Sequence, residues 1–195
     1  MGFYKTTYPQ LLDSISNSLE HKPNITAKFD SRFTFITSRS VKIVGAKVGL
    51  EYNHNFQWGI GFNTLFDGFS TKKKINGNKK TVNFQSTYWS PYAEYRFYKS
   101  KHWEFSMPVQ LDIGKQSLQY EDNNDNKKKY NEGVIFGFEP AMTFQYKFWE
   151  YFGLGAGVGY RIMFLRNKAV NKDFFVPIYM FRFKLFFGDL VKDVF

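Results

Sequence analysis

The chain contains no cysteine, three histidines and no long run of apolar residues. Without cysteine, neither a disulfide framework nor a thiolate site for a metal or for catalysis is possible. Because no stretch of about 18 apolar residues exists, a transmembrane helix is excluded. The histidines, His21, His54 and His102, stand far apart and show no metal-ligand spacing, and each suits a solvated helix end or turn. We therefore expect no catalytic residue, no metal site and no cofactor.

Aromatic residues are abundant. They make up 21% of the chain, with 24 Phe and 13 Tyr, although 23% of the residues are charged. High aromatic content without a long apolar run is typical of a transmembrane β-barrel, whose strands each carry only a weak alternating signal. The length of 195 residues suits one all-β unit.

The stretch 42–66 shows this alternation most clearly. Every second residue is apolar from Val44 to Tyr52 and again from Phe56 to Phe62. Polar residues and glycines fill the positions between them, and Asn53-His54-Asn55 separates the two halves. Alternation on both sides of a three-residue polar turn predicts a β-hairpin with one apolar face.

Eight such segments follow one another along the chain: 28–36, 42–52, 56–66, 82–98, 103–119, 134–149, 152–165 and 174–188. Their connections alternate in length. Those at 53–55, 99–102 and 149–151 are tight, those at 69–81 and 120–133 are long and charged, and that at 166–173 is intermediate. This pattern predicts an all-β fold, an eight-stranded antiparallel up-and-down transmembrane β-barrel with both termini on the short-turn side.

A short amphipathic helix is predicted over 9–22. Its apolar stripe consists of Leu11, Leu12, Ile15 and Leu19, and prolines flank it. The helix could cover one end of the barrel or lie on a membrane surface. We accordingly divide the chain into a helical segment (1–24), the barrel (25–188) and a C-terminal tail (189–195).

Side-chain volume predicts which face points outward. The apolar set holds roughly forty large side chains, more than the narrow interior of an eight-stranded barrel can contain. The polar set holds most of the glycines, which leave room for long charged side chains on an inner wall. The large apolar set should therefore face out, where water would cause aggregation but lipid is suitable.

On these strands, and on an aromatic last strand with Phe183, Leu185 and Phe187, the chain resembles the small eight-stranded outer-membrane β-barrels of Gram-negative bacteria, the group of OmpA-type and OmpX-type barrels. The resemblance covers about residues 28–188. It implies the outer membrane of a Gram-negative bacterium, periplasmic termini and short turns, and extracellular long loops. Outer-membrane lipid and lipopolysaccharide would then be the immediate partners.

The inward set carries charges of both signs. The predicted lumen charge network consists of Asp30, Arg32, Lys47, Glu51, Glu94, Arg96, Glu104, Asp112, Glu139, Arg161, Arg182 and Lys184. Buried charges must be paired, so these residues could form a hydrogen-bonded plug that closes the barrel. The alternative is a gated ion path or a small binding cavity.

The net charge of +10 comes largely from two lysine-rich loops. The lysines concerned are Lys72, Lys73, Lys74, Lys79, Lys80, Lys127, Lys128 and Lys129. They lack interleaved aromatics for base stacking, so a nucleic-acid partner is not expected. The loops could be merely solvated, or they could contact lipopolysaccharide phosphates or an acidic partner.

Four prolines, Pro91, Pro108, Pro140 and Pro177, fall within predicted strands, where proline breaks ladder hydrogen bonds. With the N-terminal helix, this placement is similar to the lipid A palmitoyltransferase barrel, whose prolines open lateral routes for lipid. That family's catalytic histidine has no counterpart in the outer loops of this chain.

Three functions follow from these patterns. The first is a non-enzymatic outer-membrane barrel with a plugged interior, acting structurally or as an accessory subunit of a larger outer-membrane assembly. The second is a lipid-binding or lipid-modifying barrel. The third is a soluble lipocalin-type barrel with its faces reversed, which the volume argument disfavours.

Overall fold

The computed structural model describes residues 8–36, 39–67, 70–75, 78–121, 127–165 and 175–185. Within them the chain forms one helix, α1 (Tyr8–Leu19), and nine strand segments. The segments are β1 (Asn24–Ile36), β2 (Arg39–Tyr52), β3 (Phe56–Asp67), β4 (Ser70–Ile75), β5 (Asn78–Lys99), β6 (Trp103–Glu121), β7 (Lys127–Lys147), β8 (Phe152–Leu165) and β9 (Phe175–Leu185).

The segments form a closed antiparallel barrel. Except for β3 and β4, each segment pairs with its neighbour in sequence; β3 pairs with β5 instead, and β1 pairs with both β2 and β9. The β3 and β4 segments pair with successive parts of β5, so together they occupy one position in the wall. The wall therefore has eight strand positions, and the predicted eight-stranded antiparallel barrel is confirmed.

The two ends of the barrel differ. The end that we call lower carries the tight turns at 53–55, 100–102 and 148–151, together with the start of β1 and the end of β9. In the first turn Asn53 and His54 have φ angles of 44° and 57°, and the amide of Asn55 donates to the carbonyl of Tyr52 at 3.0 Å. Two left-handed residues in sequence are typical of a tight hairpin turn.

The upper end differs from the prediction. The stretches 69–81 and 120–133, expected to be long loops, are mostly strand, since β4 and β5 approach each other at Ile75 and Asn78 and β6 and β7 at Glu121 and Lys127. Backbone pairing continues here past the predicted strand ends, with Ser70–Ile75 of β4 paired to Asn78–Asn83 of β5. The sequence between β4 and β5 is Asn76-Gly77, the pair that two-residue hairpin turns favour.

Helix α1 lies against the outer side of the wall near the lower end. The hydroxyl of Tyr95, which points out of β5, donates to Ser14 at 3.3 Å, and Ser18 donates to the carbonyl of Ser14 within the helix. Leu12 and Leu19 remain 67% and 46% exposed. None of the described helical residues forms a span that is long and apolar enough to cross a membrane.

Candidate functional site

The two faces of the wall differ as the alternation predicts. Gln57 points inward and is 1% exposed, whereas the next residue, Trp58, points outward and is 48% exposed. The side chain of Lys47 is buried inside the barrel, where it passes over Gly61; a Cβ atom there would lie 2.7 Å from Cγ of Lys47. Glycine on the inner wall thus makes room for a long cation, and the lumen becomes the candidate site.

The lowest layer of the lumen is a cluster of two carboxylates and two cations. Nζ of Lys184 lies 2.7 Å from Glu51 and 3.5 Å from Glu104. The guanidinium of Arg96 lies 3.1 Å from each of the same two carboxylates. The ring of His54, in the lower turn, is 2.9 Å from the other carboxylate oxygen of Glu51. The hairpin turn is therefore tied to the charged interior.

The middle layer is centred on Asp30. Its carboxylate receives three cations: Lys47 at 2.8 Å, Arg182 at 3.0 Å and Arg32 at 3.2 Å. Arg182 also binds Glu94 at 3.0 Å, and Glu94 accepts a 2.6 Å bond from Lys28. The Lys28–Glu94 pair joins β1 to β5, which are not neighbours in the wall, so these contacts cross the lumen.

The next layer is centred on Glu139. Arg32 reaches it at 2.9 Å from β1, and Arg161 contacts it from β8. Arg161 also lies 3.4 Å from Asp112 and donates to the hydroxyl of Tyr88 at 2.6 Å. The twelve residues of the sequence-derived charge network thus lie together inside the barrel, with Lys28 added, and each has at least one oppositely charged neighbour.

Above the charges lies an apolar layer that the sequence interpretation missed. Its buried side chains pack together as one cluster: Val41, Ile43, Leu65, Val82, Phe84, Tyr88, Leu118, Ile135 and Met163. The signal was present in the sequence. Continuing the inward phase of β5 upward from Tyr88 passes through Phe84 and Val82, both fully buried. The interior therefore has a charged lower part and an apolar upper part.

The basic residues predicted in loops lie on strands. Lys72, Lys73 and Lys74 belong to β4, Lys79 and Lys80 to β5, and Lys127, Lys128 and Lys129 to β7. Their assignment to loops was wrong, because a lysine-rich stretch resembles a polar connection. In the structure, backbone pairing continues past the predicted ends of the strands. The register sets Lys73 opposite Lys80 and Lys74 opposite Lys79. On β7, Lys128 and Lys129 are exposed.

The prolines interrupt the ladders between strands, not the strands themselves. The β5–β6 register skips Pro91 and its neighbour, the β6–β7 register skips Pro108, and the β7–β8 register skips Pro140. The β1–β9 ladder ends beside Pro177, whose carbonyl accepts a 3.0 Å bond from Thr34. Proline has no amide hydrogen to donate, so each gap follows from the sequence.

The histidines remain apart at the lower end. The ring of His21 lies 3.0 Å from the carbonyl of Asn17, and that of His102 lies 3.3 Å from the carbonyl of Lys147. Across the part of the chain that the structure describes, no three His, Asp or Glu side chains are grouped so that they could hold a metal ion.

The closed eight-stranded antiparallel barrel is the fold of the small outer-membrane β-barrels of Gram-negative bacteria. Among solved structures, neisserial surface protein A matches with a TM-score of 0.56 and 12% identity, over 84% of this chain and 96% of that one. This likeness shows a shared fold.

Two further structures match less closely. The attachment invasion locus protein Ail of Yersinia pestis, crystallised with the heparin analogue sucrose octasulfate, has a TM-score of 0.47 at 12% identity and covers 84% of this chain and 97% of that one. The N-terminal β-barrel domain of Pseudomonas aeruginosa OprF has a TM-score of 0.46 at 10% identity and covers 84% and 98%. Neither protein-family models nor curated sequences give a match.

Proposed function

We propose that this chain is a non-enzymatic integral outer-membrane barrel with a closed lumen, serving as a structural element or as an accessory subunit of a larger outer-membrane assembly. The observation that carries the proposal is the filling of the interior. Six carboxylates and seven cations are buried in mutual contact below, and an apolar cluster lies above them. An ion entering from either end would have to break these pairs or cross the apolar cluster.

Charge balance supports a closed lumen over a selective pore. Pores that select ions with charged side chains line the path with rings of one sign. Here Asp30 is shared by three cations and Arg32 is shared by Asp30 and Glu139, so the charges neutralise one another. Such cross-lumen pairs also fix the positions of strands that do not touch in the wall.

Conductance measurements test the closed lumen. The purified full chain, reconstituted in a planar lipid bilayer, should give no discrete current steps, while a porin in the same bilayer serves as the positive control. Resolved steps with ion selectivity would contradict the closed lumen.

Gentle extraction of native membranes tests the accessory role: the barrel should migrate in a complex with another protein, and an isolated monomer would speak against that role.

The orientation that we propose places the lower turns and both ends of the barrel in the periplasm and the long upper strands outside the cell. The helix would then lie in the periplasmic membrane interface, with Leu12 and Leu19 toward lipid. The lysines of β4, β5 and β7 would face the phosphate-rich layer of lipopolysaccharide. The register sets Lys73 opposite Lys80, and because like charges at opposed positions destabilise a strand pair, bound phosphate would offset that cost.

A lipid-binding barrel is the second candidate, and the ladder gaps at the prolines favour it. The lumen described above is occupied by paired side chains and by the apolar cluster. A lipid chain would therefore have to bind at the outer surface of the wall.

A further inference from the structure

The ladder gaps coincide with two long grooves on the outer wall. The first, with a volume of about 780 Å³, is lined by Trp58, Ile60, Pro91, Ala93, Val109 and Leu111, among others. The second, of about 810 Å³, includes Tyr95, Met107, Val109, Pro140, Met142 and Tyr179. Both include Ala93 and Val109, so the grooves meet there. We call the combined feature the oblique groove.

The register explains the shape of the oblique groove. One row of outward side chains crosses the strands through Ile25, Leu50, Trp58, Ala93, Val109 and Pro140. This row contains small residues where its neighbours are large: Ala93 and Val109 lie between Pro91 and Leu111 on one side and Tyr95 and Met107 on the other. At these two positions, the small side chains within the row and the larger ones beside it leave a channel.

The oblique groove climbs across the membrane-facing wall. Its row begins at Ile25, near the lower end of β1. After passing around the barrel, the next outward row through Met142, Val158 and Tyr179 returns to β1 at Phe33, near the upper end. At the lower end Ile15 of helix α1 forms part of the lining. The lining therefore extends from Ile25, near the lower end of β1, to Pro177, near the upper end of β9.

The width of the oblique groove and the chemistry of its lining indicate what it binds. The two rows that flank the channel are four residues apart, about 14 Å between their backbones, and their large side chains narrow that space, whereas an α-helix with its side chains needs about 10–12 Å of free width. The outward-facing lining residues are apolar or aromatic, and the one carboxylate in the lining, Glu94, points into the lumen toward Lys28 and Arg182. A narrow, uncharged channel on a lipid-facing surface suits a hydrocarbon chain.

We propose that the oblique groove holds an acyl chain of a bilayer lipid against the outer wall. The acyl chain lies over the gaps at Pro91 and Pro140 and covers backbone that lacks ladder hydrogen bonds there. The inference rests on the proposed placement of the barrel in a membrane, but it does not depend on the closed lumen.

The test fills the junction of the two grooves. Ala93→Phe places a ring at the point that both grooves share, and Ala46→Phe is the matched control. Ala46 also points outward, between Phe29 and Phe62, but it lies outside the lining. Each full-length protein is extracted in mild detergent and examined by native mass spectrometry, and its folding is verified by heat-modifiable electrophoretic migration.

The wild type and Ala46→Phe should retain a phospholipid or lipopolysaccharide adduct, whose mass tells the two apart, and Ala93→Phe should lose it. Equal retention in all three proteins, or no adduct on the wild type, would overturn the proposal. So would a dimer that only Ala93→Phe abolishes, since a second copy would then occupy the groove.

A second measurement does not depend on a cavity-filling variant. Trp58 lines the groove, so in a protein with Trp89, Trp103 and Trp149 changed to Phe, its fluorescence reports local chain occupancy. In phosphatidylethanolamine vesicles containing brominated acyl chains, quenching should saturate at a lower brominated fraction than for a matched protein that retains only Trp89. Identical quenching curves for the two proteins would contradict the binding of an acyl chain in the oblique groove. None of these proteins should conduct ions. The proposal of a closed lumen and the proposal of a lipid-binding groove can therefore be contradicted independently of each other.

Discussion

At the scale of single residues, the interior depends on a few side chains that each serve several partners. Asp30 is the clearest case, because Lys47, Arg182 and Arg32 all lie within 3.2 Å of its carboxylate. A buried pair is costly to form but far more costly to break, since the partner charge is then left unpaired. The shared residues should therefore dominate the stability of the barrel.

Asp30→Asn should lower the free energy of unfolding by about 3–5 kcal/mol, the range for removing one partner of a buried ion pair. The measurement is reversible urea unfolding in phospholipid vesicles, followed by tryptophan fluorescence. Glu132→Gln is the control, because Glu132 is partly exposed and pairs with Lys115 at 3.4 Å and Lys129 at 3.9 Å. It should cost at most about 1 kcal/mol. Equal losses in both variants would show that the Asp30 cluster is not structurally important.

At the scale of the strands, alternation identified both faces and the tight turns correctly. It could do so because a period of two is a direct consequence of strand geometry. The upper extensions of β4 to β7 were missed because their lysines resemble a loop, while the evidence for pairing lies in the opposite strand. Which cation meets which carboxylate was also beyond the sequence, since Lys28 and Glu94 meet only through closure of the barrel.

The assignment of the outer wall to lipid can be tested by placing a charged side chain at two different depths along the barrel. Ile60 lies near the middle of β3, and Leu154 lies near the lower end of β8; both point outward. Ile60→Arg should cost about 2–4 kcal/mol in vesicles and Leu154→Arg only about 0–1 kcal/mol, because the penalty for a charge falls toward the interface.

The same urea titration in phospholipid vesicles measures both values. If the two arginines had equal effects, the outer wall would not lie across a hydrocarbon layer. A conservative Ile60→Leu change should leave the stability nearly unaltered, which separates loss of shape from the cost of charge.

At the scale of the whole molecule, the barrel is asymmetric between its ends. Tight turns, a helix and the ion-pair clusters lie toward the lower end, while the upper end has an apolar lumen and taller strands, since β5, β6 and β7 have 22, 19 and 21 residues and β9 has 11. The number of strands and the fold could be predicted by adding up local patterns. This asymmetry could not, because it depends on where pairing stops on each strand.

The taller side of the barrel carries the lysines. Their register predicts that replacing them has opposite effects on the stability of the barrel without and with lipopolysaccharide. Like charges directly opposite each other on paired strands destabilise the pair, by up to about 1 kcal/mol, the range of cross-strand side-chain energies. Lys73 faces Lys80 in this way. A bound polyanion such as lipopolysaccharide would reverse the balance, since its phosphates attract both lysines, and added salt would weaken that attraction.

The double variant Lys73→Gln, Lys80→Gln should therefore unfold at a higher urea concentration than the wild type in phospholipid vesicles without lipopolysaccharide. In vesicles containing lipopolysaccharide, the wild type should gain stability, and the variant should gain less, with a difference that shrinks as salt is added. The control is Lys22→Gln, Lys101→Gln, two exposed lysines at the lower end of the barrel, which should leave the lipopolysaccharide effect intact when the upper end faces the lipid A layer. A larger loss in the control than in the upper variant would mean that the barrel is oriented the other way, because the phosphates would then meet the lower end.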